Sequence, residues 1–170
     1  MVPPSSGPLP PFLHARRSPQ LNGSKYYEPN GTRGAGAANA TWIWGITGEE
    51  YDRHADLWPL NPEGDLLAIM MIESVEGLQN LNTIASTPGV GALFVGAAND
   101  LTRSMGVRPG SPEVEAGLQR VLNGCKAQKI ACGITANNAN DVAKRVKEGW
   151  NIIRSTVPAI NEGRALLGEK

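Results

Sequence analysis

Leu66-Leu67-Ala68-Ile69-Met70-Met71-Ile72-Glu73-Ser74 and Ala92-Leu93-Phe94-Val95-Gly96-Ala97-Ala98-Asn99-Asp100-Leu101 share one pattern: a short apolar run that ends in polar residues with a carboxylate. A continuous apolar run of this length, bounded by turn residues, reads as a strand buried on both faces, the kind found in parallel sheets. Between the two runs, Val75, Leu78, Leu81, Ile84 and Ala85 recur at helical spacing, with Ser74 as the cap and Pro88-Gly89 as the stop. After the second run comes a loop, then a helix from Pro112 to about Lys126 with Ser111 as its cap and Val114, Leu118, Val121, Leu122 and Cys125 on one face. Lys129 to Ile134 reads as a third strand, Val142, Ala143 and Val146 mark the next helix, Trp150 to Ser155 a fourth strand, and Pro158 to Leu167 a last helix.

This β-α-β-α-β-α-β-α order is that of a parallel sheet wrapped by helices. Four such units make half of an eightfold barrel. A closed (β/α)8 barrel takes about 250 residues and at least about 200, so a chain of 170 residues cannot close one alone. The expected fold is α/β: a partial (β/α)8 TIM barrel of about four C-terminal βα units behind a Pro-rich irregular segment. Residues 1–40 hold Pro, Gly, Ser and Asn with no apolar period, and residues 41–170 form the barrel part. Thr41 to Ile46 and Tyr51 to Pro59 supply at most short additional elements.

Composition narrows the partners. Sixteen basic residues balance sixteen acidic ones, which gives no bulk attraction for nucleic acid or an anionic membrane. A small neutral or locally anionic ligand is expected instead. No apolar run approaches the roughly 20 residues of a membrane span. Pro3, Pro4, Pro8, Pro10 and Pro11 interrupt any signal-peptide core, so a cytoplasmic location is expected. The sequons at Asn22, Asn30 and Asn39 are then chance matches. Cys125 and Cys132 have neither a metal-ligand spacing nor a CxxC spacing and read as buried, reduced thiols. Trp42, Trp44, Trp58 and Trp150 are expected in the core or at a subunit contact.

The chemistry lies in Glu73 and Asp100. An acid after a strand is also explained by the first turn of a helix, where the dipole favours negative charge. The pair says more. Only one helix and one strand separate the two acids, so both stand at carboxyl ends of neighbouring parallel strands, about 4.8 Å apart. Two carboxylates, completed by water and substrate oxygens, are a common way to hold Mg2+ or Mn2+. No phosphate-binding glycine loop is complete at Gly89-Val90-Gly91 or Gly31-Thr32-Arg33-Gly34. His14 and His54 have no ligand spacing, and Arg33 between glycines reads as a solvated turn.

At Met71-Ile72-Glu73-Ser74, at Pro88 to Gly96 and at Asn99-Asp100-Leu101-Thr102-Arg103-Ser104-Met105-Gly106, the chain resembles the HpcH/HpaI aldolases, class II pyruvate aldolases of the phosphoenolpyruvate/pyruvate barrel superfamily. The similarity runs from about Lys25 to Thr156, and Tyr27-Glu28-Pro29-Asn30-Gly31-Thr32-Arg33-Gly34 is similar to another stretch of that family. The resemblance implies Glu73 and Asp100 as metal ligands, with Mg2+, Mn2+ or Co2+ as cofactor. It also implies a substrate carboxylate held at Gly96, Asn99 and Asp100. The reaction it implies is a carbon-carbon lyase acting on a 2-oxo acid and an aldehyde through a metal-stabilised enolate; a homo-oligomer is expected because an open half-barrel sheet leaves two edges and an apolar face uncovered.

Three positions depart from the family pattern. Met71 stands for a substrate-contacting glutamine, and the Gly96 to Asp100 loop is one residue longer. The family's first strands, with their histidine base and keto-polarising arginine, have no counterpart, and His14 and Arg16 do not match those positions. The catalytic residues are therefore left unassigned. The competing reading is a catalytically impaired half-barrel that binds metal or 2-oxo acid or serves as an assembly partner.

Overall fold

The computed structural model describes residues 38–58 and 60–168. The expectations placed on Arg33, His14, Arg16 and the sequons at Asn22 and Asn30 lie outside the described residues. Two units divide the chain. The first runs to Leu66 and includes Thr87–Gly89, and the second comprises Leu67–Ser86 and everything from Val90.

In the first unit, Ala38–Trp44 (α1) and Gly48–His54 (α2) are short helices, followed by the two-residue strand Leu57–Trp58 (β1). Thr47 caps α2 in a capping box: its side chain accepts from the Glu50 amide at 3.1 Å, and its own amide donates to the Glu50 carboxylate at 2.9 Å. Tyr51 is buried and its ring lies 5.3 Å from that of Trp44. Of the two places expected for the indoles, the core holds only Trp150; Trp42, at 83% exposure, Trp44 and Trp58 are exposed on the chain.

In the second unit, Leu66–Met71 (β2, whose first residue belongs to the first unit), Val90–Val95 (β3), Ala131–Thr135 (β4) and Ile152–Arg154 (β5) lie side by side and parallel in chain order. Helices join them: Val75–Gln79 (α3) and Leu81–Ala85 (α4), Asn99–Met105 (α5), Pro112–Gln128 (α6), Ala139–Glu148 (α7) and a final Val157–Leu166 (α8). This is the βα succession of a partial (β/α)8 barrel, as the sequence implied.

The Ser74 side chain accepts from the Gly77 amide at 3.0 Å, and Asn138 caps α7 through the Asp141 amide at 3.0 Å. Gly149 ends α7 at φ +100, a conformation costly for any residue with a Cβ. Ser111 stands at the N-cap of α6 without a side-chain capping bond.

Register separates the two faces of the sheet. Leu93 and Cys132 are paired neighbours, as are Val95 and Ile134, and all four are buried on the face that meets α6. On the other face, Met71, Phe94, Gly133 and Ile152 form one row. A Cβ on Gly133 would collide with the Phe94 ring, so glycine there gives the ring its place.

Three expectations change here. Strand β2 is not buried on both faces: Leu67, Ile69 and Met71 are 41%, 44% and 42% exposed, whereas β3 is buried almost throughout. The loop expected after β3 contains helix α5. The two cysteines are buried, but Cys125 and Cys132 are joined in a disulfide between α6 and β4, because the last turn of the helix brings its inner face against the strand.

Candidate functional site

The site is built at the carboxyl ends of β2 and β3, where side chains leave the sheet before the chain turns into a helix. Past Met71, the Ile72 amide still donates to the Phe94 carbonyl at 2.9 Å, which fixes the exit of β2 against β3. Glu73, half-buried, then turns toward the end of β3: a Cβ on Gly96 would stand 3.3 Å from Glu73 Oε1 and 3.3 Å from Met71 Cε. Glycine at 96 thus leaves space for the carboxylate. The first amide of α3, from Val75, donates to Ser104 Oγ at 2.9 Å and ties this exit to α5.

The loop after β3 is held as firmly. Ala98 adopts a left-handed conformation at φ +57, unusual for a residue with a side chain. Its carbonyl accepts two bonds from Thr102, from Oγ1 at 2.6 Å and from the amide at 2.8 Å, and Thr102 is buried. Asn99 and Asp100 follow as the first residues of α5, both exposed. The structure therefore sets Glu73 directly against Gly96, and places Asn99 and Asp100 in the adjoining first turn of α5.

The donor set suits a hard cation. Among the described residues neither Glu73 nor Asp100 has a hydrogen-bond donor or a cationic side chain on its carboxylate, so both retain their oxygens for a metal. Among the described residues no group of three or more His, Cys, Asp or Glu side chains gathers to hold an ion, so a metal here would rest on two carboxylates, with water or substrate completing the shell. His54 is engaged elsewhere, in the first unit: its Nδ1 lies 3.3 Å from Asp65 Oδ2 at an exposed position.

Beside the loop, a cavity of about 270 Å3 opens between the ends of β3 and β4 and helices α6 and α7, lined by Gly96, Asn99, Thr135, Glu115 and Arg145 among others. Gly96 and Asn99 of this lining were expected from the sequence, whereas Glu115 and Arg145 were not. Arg145, with a side chain only 8% exposed, is its floor. Nη1 donates to Glu115 Oε1 at 2.7 Å and to Glu148 Oε2 at 3.1 Å, Nη2 to Glu115 Oε2 at 2.9 Å, and Nε to Asp141 Oδ1 at 3.1 Å. The bidentate Arg145 bond holds Glu115 down at a pKa of about 2, and its acidic partners push Arg145 above its ordinary value. The one signal in the sequence is the run of acids at positions i−4 and i+3 from an arginine on α7; Glu115, thirty residues away, is invisible there.

Comparison with known proteins places this geometry. The family model described as HpcH/HpaI aldolase/citrate lyase matches residues 20–158. A hydroxypyruvate/pyruvate aldolase of Chromohalobacter salexigens is 32% identical over 141 residues, which are 82% of this chain and 52% of that protein. One of the same name from Pseudomonas aeruginosa is 36% identical over 110 residues, 64% of this chain and 38% of that protein. The chain thus spans about half the length, or less, of these curated relatives. Among solved structures, an HpcH/HpaI aldolase/citrate lyase family protein from Burkholderia cenocepacia J2315 aligns with a TM-score of 0.62 and 26% identity, covering 88% of this chain and 57% of that one. With a family match over most of its length and the same parallel βα frame beneath Glu73 and Asp100, the chain belongs to the HpcH/HpaI aldolase/citrate lyase family.

Proposed function

We propose that this chain is a metal-dependent carbon-carbon lyase, a class II pyruvate aldolase acting on pyruvate-derived 2-oxo acids. The observation that carries the reading is the half-buried Glu73 carboxylate at the end of β2, facing Gly96 at the end of β3, with no donor or cation among the described residues to satisfy it. Glu73 and Asp100 hold the divalent cation, Mg2+, Mn2+ or Co2+. When bound, that ion supplies Lewis-acid stabilisation of the enolate charge that develops on the 2-oxo acid. The backbone amides from Gly96 through Asn99 and Asp100 hold the substrate carboxylate, as fixed donors that need no reorganisation. The left-handed Ala98, locked by Thr102, keeps that loop in one conformation. The substrates are a 2-oxo acid and an aldehyde, and the protein works in the cytoplasm as a homo-oligomer.

Retro-aldol release of pyruvate from a 4-hydroxy-2-oxo acid tests this. Activity stimulated by Mg2+, Mn2+ or Co2+ is expected, with a loss of more than about 100-fold in Glu73→Ala and in Asp100→Ala, since removal of a ligand exceeds the 10- to 100-fold cost of losing a residue that only orients one. Turnover indifferent to added metal and to both substitutions refutes the reading.

A second reading has its own observation. Leu67, Ile69 and Met71 present a row of half-exposed apolar side chains on one face of β2, which suits an assembly surface on a chain that binds metal or 2-oxo acid without turning it over. Calorimetric binding of Mn2+ and pyruvate with no product release in any metal supports that alternative.

A further inference from the structure

The two acids proposed as metal ligands stand on separate segments, Glu73 after β2 and Asp100 in α5, so a contact between those segments has to set the distance between them. The backbone around Glu73 is held on both sides. Before it, the Ile72 amide donates to the Phe94 carbonyl at 2.9 Å, and after it the Val75 amide donates to Ser104 Oγ at 2.9 Å. The first bond continues the sheet. The second crosses 29 positions of sequence to reach α5. Among the described residues no other side-chain hydrogen bond joins residues 72–79 to residues 97–106.

The Val75 amide is the first of α3, one of the donors that a helix cannot satisfy from within. Ser74 does not take it, because its side chain accepts from the Gly77 amide instead. Ser104, although exposed, supplies the acceptor. Ser104 also follows Asp100 by four positions on α5, one turn or about 6 Å along the same helix face. The face of α5 that meets the exit of β2 through Ser104 is therefore the face that carries Asp100. Octahedral ions such as Mg2+ and Mn2+ tolerate little displacement of their oxygen ligands, so two acids free to drift apart hold them less tightly.

We infer that Ser104 is a positioning residue of the metal centre: by accepting the Val75 amide it fixes Glu73 relative to Asp100, and so sets the affinity of the chain for a divalent cation. The inference rests on the proposed lyase reading, which supplies the two ligands, and adds the residue that brings them to one ion. Ser104 acts through the backbone of α3 and touches neither metal nor substrate.

The test is titration of the metal-free full chain with Mn2+, followed by the electron paramagnetic resonance of the unbound ion. Ser104→Ala removes the acceptor, and Val75→Pro independently removes the donor. Alanine favours a helix interior and proline is accepted at a first helical position, so both variants keep the fold. Each is expected to raise the Mn2+ dissociation constant about tenfold, the lower end of the roughly 10- to 100-fold cost of losing a group that orients a ligand. Ser104→Thr, which keeps the hydroxyl, should bind as the wild type does. Thermal unfolding without metal should be the same in every variant, whereas a merely structural role would lower the melting temperature and leave Mn2+ affinity unchanged. Unchanged affinity in Ser104→Ala or Val75→Pro overturns the inference, as does a loss that Ser104→Thr shares or one that comes only with a lowered melting temperature. The two proposals separate cleanly. Mn2+ binding abolished by Glu73→Ala but untouched by Ser104→Ala keeps the metal centre and refutes the tie, and a wild type that binds no Mn2+ refutes both. Ser104-dependent binding in a chain that releases no pyruvate in any metal refutes the lyase and leaves the positioning role standing.

Discussion

Replacing Arg145 with Met removes the cation around which α6 and α7 meet. The change deletes four charge-assisted bonds, of 2.7 to 3.1 Å, from a side chain that is 8% exposed, and leaves Glu115, Asp141 and Glu148 facing one another. Breaking a buried ion pair from one side costs about 3–5 kcal/mol. Glu115 is 36% exposed and can recover part of its hydration, and Lys144 lies 3.2 Å from it, so about 3 kcal/mol is the expected loss. For a chain of 170 residues that lowers the melting temperature by roughly 6–12 °C.

The acid dependence of the same pair gives a second readout. Glu115 is depressed from 4.5 to about 2, so its stabilisation is present above pH 4.5 and is lost as the pH falls through 2. In that window the unfolded chain binds the extra proton, and stability rises with pH. Solvent screening at a carboxylate this exposed reduces the full linkage energy to about 1–2 kcal/mol. The gap in stability between wild type and Arg145→Met, followed by urea unfolding at successive pH values, should therefore narrow between pH 5 and pH 2. A loss under about 1 kcal/mol at pH 7, or a gap that widens in acid, refutes the assignment of this cluster as the tie between α6 and α7.

Gly133→Ala should destabilise the protein by about 1–3 kcal/mol in chemical unfolding, because the new methyl meets the Phe94 ring and the Ile152 Cβ in a packed sheet; an unchanged midpoint contradicts that contact. The Cys125–Cys132 disulfide closes a short loop, with a sequence separation of 7, and its loss in Cys132→Ala should cost about 2.5 kcal/mol by loop-closure entropy. Thiol labelling under denaturing, non-reducing conditions should find neither cysteine reactive, and labelling of both refutes the cross-link.

Much of the second unit was legible locally. Ser74 acts as a cap because the bond it makes spans three residues and needs no distant partner, and the βα alternation follows from apolar runs of strand length set between helical periods. The helix α5 was missed because Asn99-Asp100-Leu101-Thr102-Arg103 offers a single turn of apolar spacing, and its frame comes from the Thr102 bonds to the left-handed Ala98. The reduced state assigned to Cys125 and Cys132 failed for a related reason: seven positions of separation say nothing until α6 folds back on β4. Of the site itself, Glu73, Gly96, Asn99 and Asp100 were readable as strand-end residues, whereas the floor formed by Glu115 and Arg145 was not.

By itself the amino-acid order determined the alternation of the apolar strands with the main helices, the Ser74 cap, and the two acids that follow β2 and β3, because each depends on side chains within a few residues of one another. Only the tertiary structure decided which faces are covered, that the two cysteines meet, and that Arg145 pairs with Glu115. Those outcomes depend on strand register and helix packing, which join residues 7 to 30 positions apart, and a linear pattern carries no record of the distances across them.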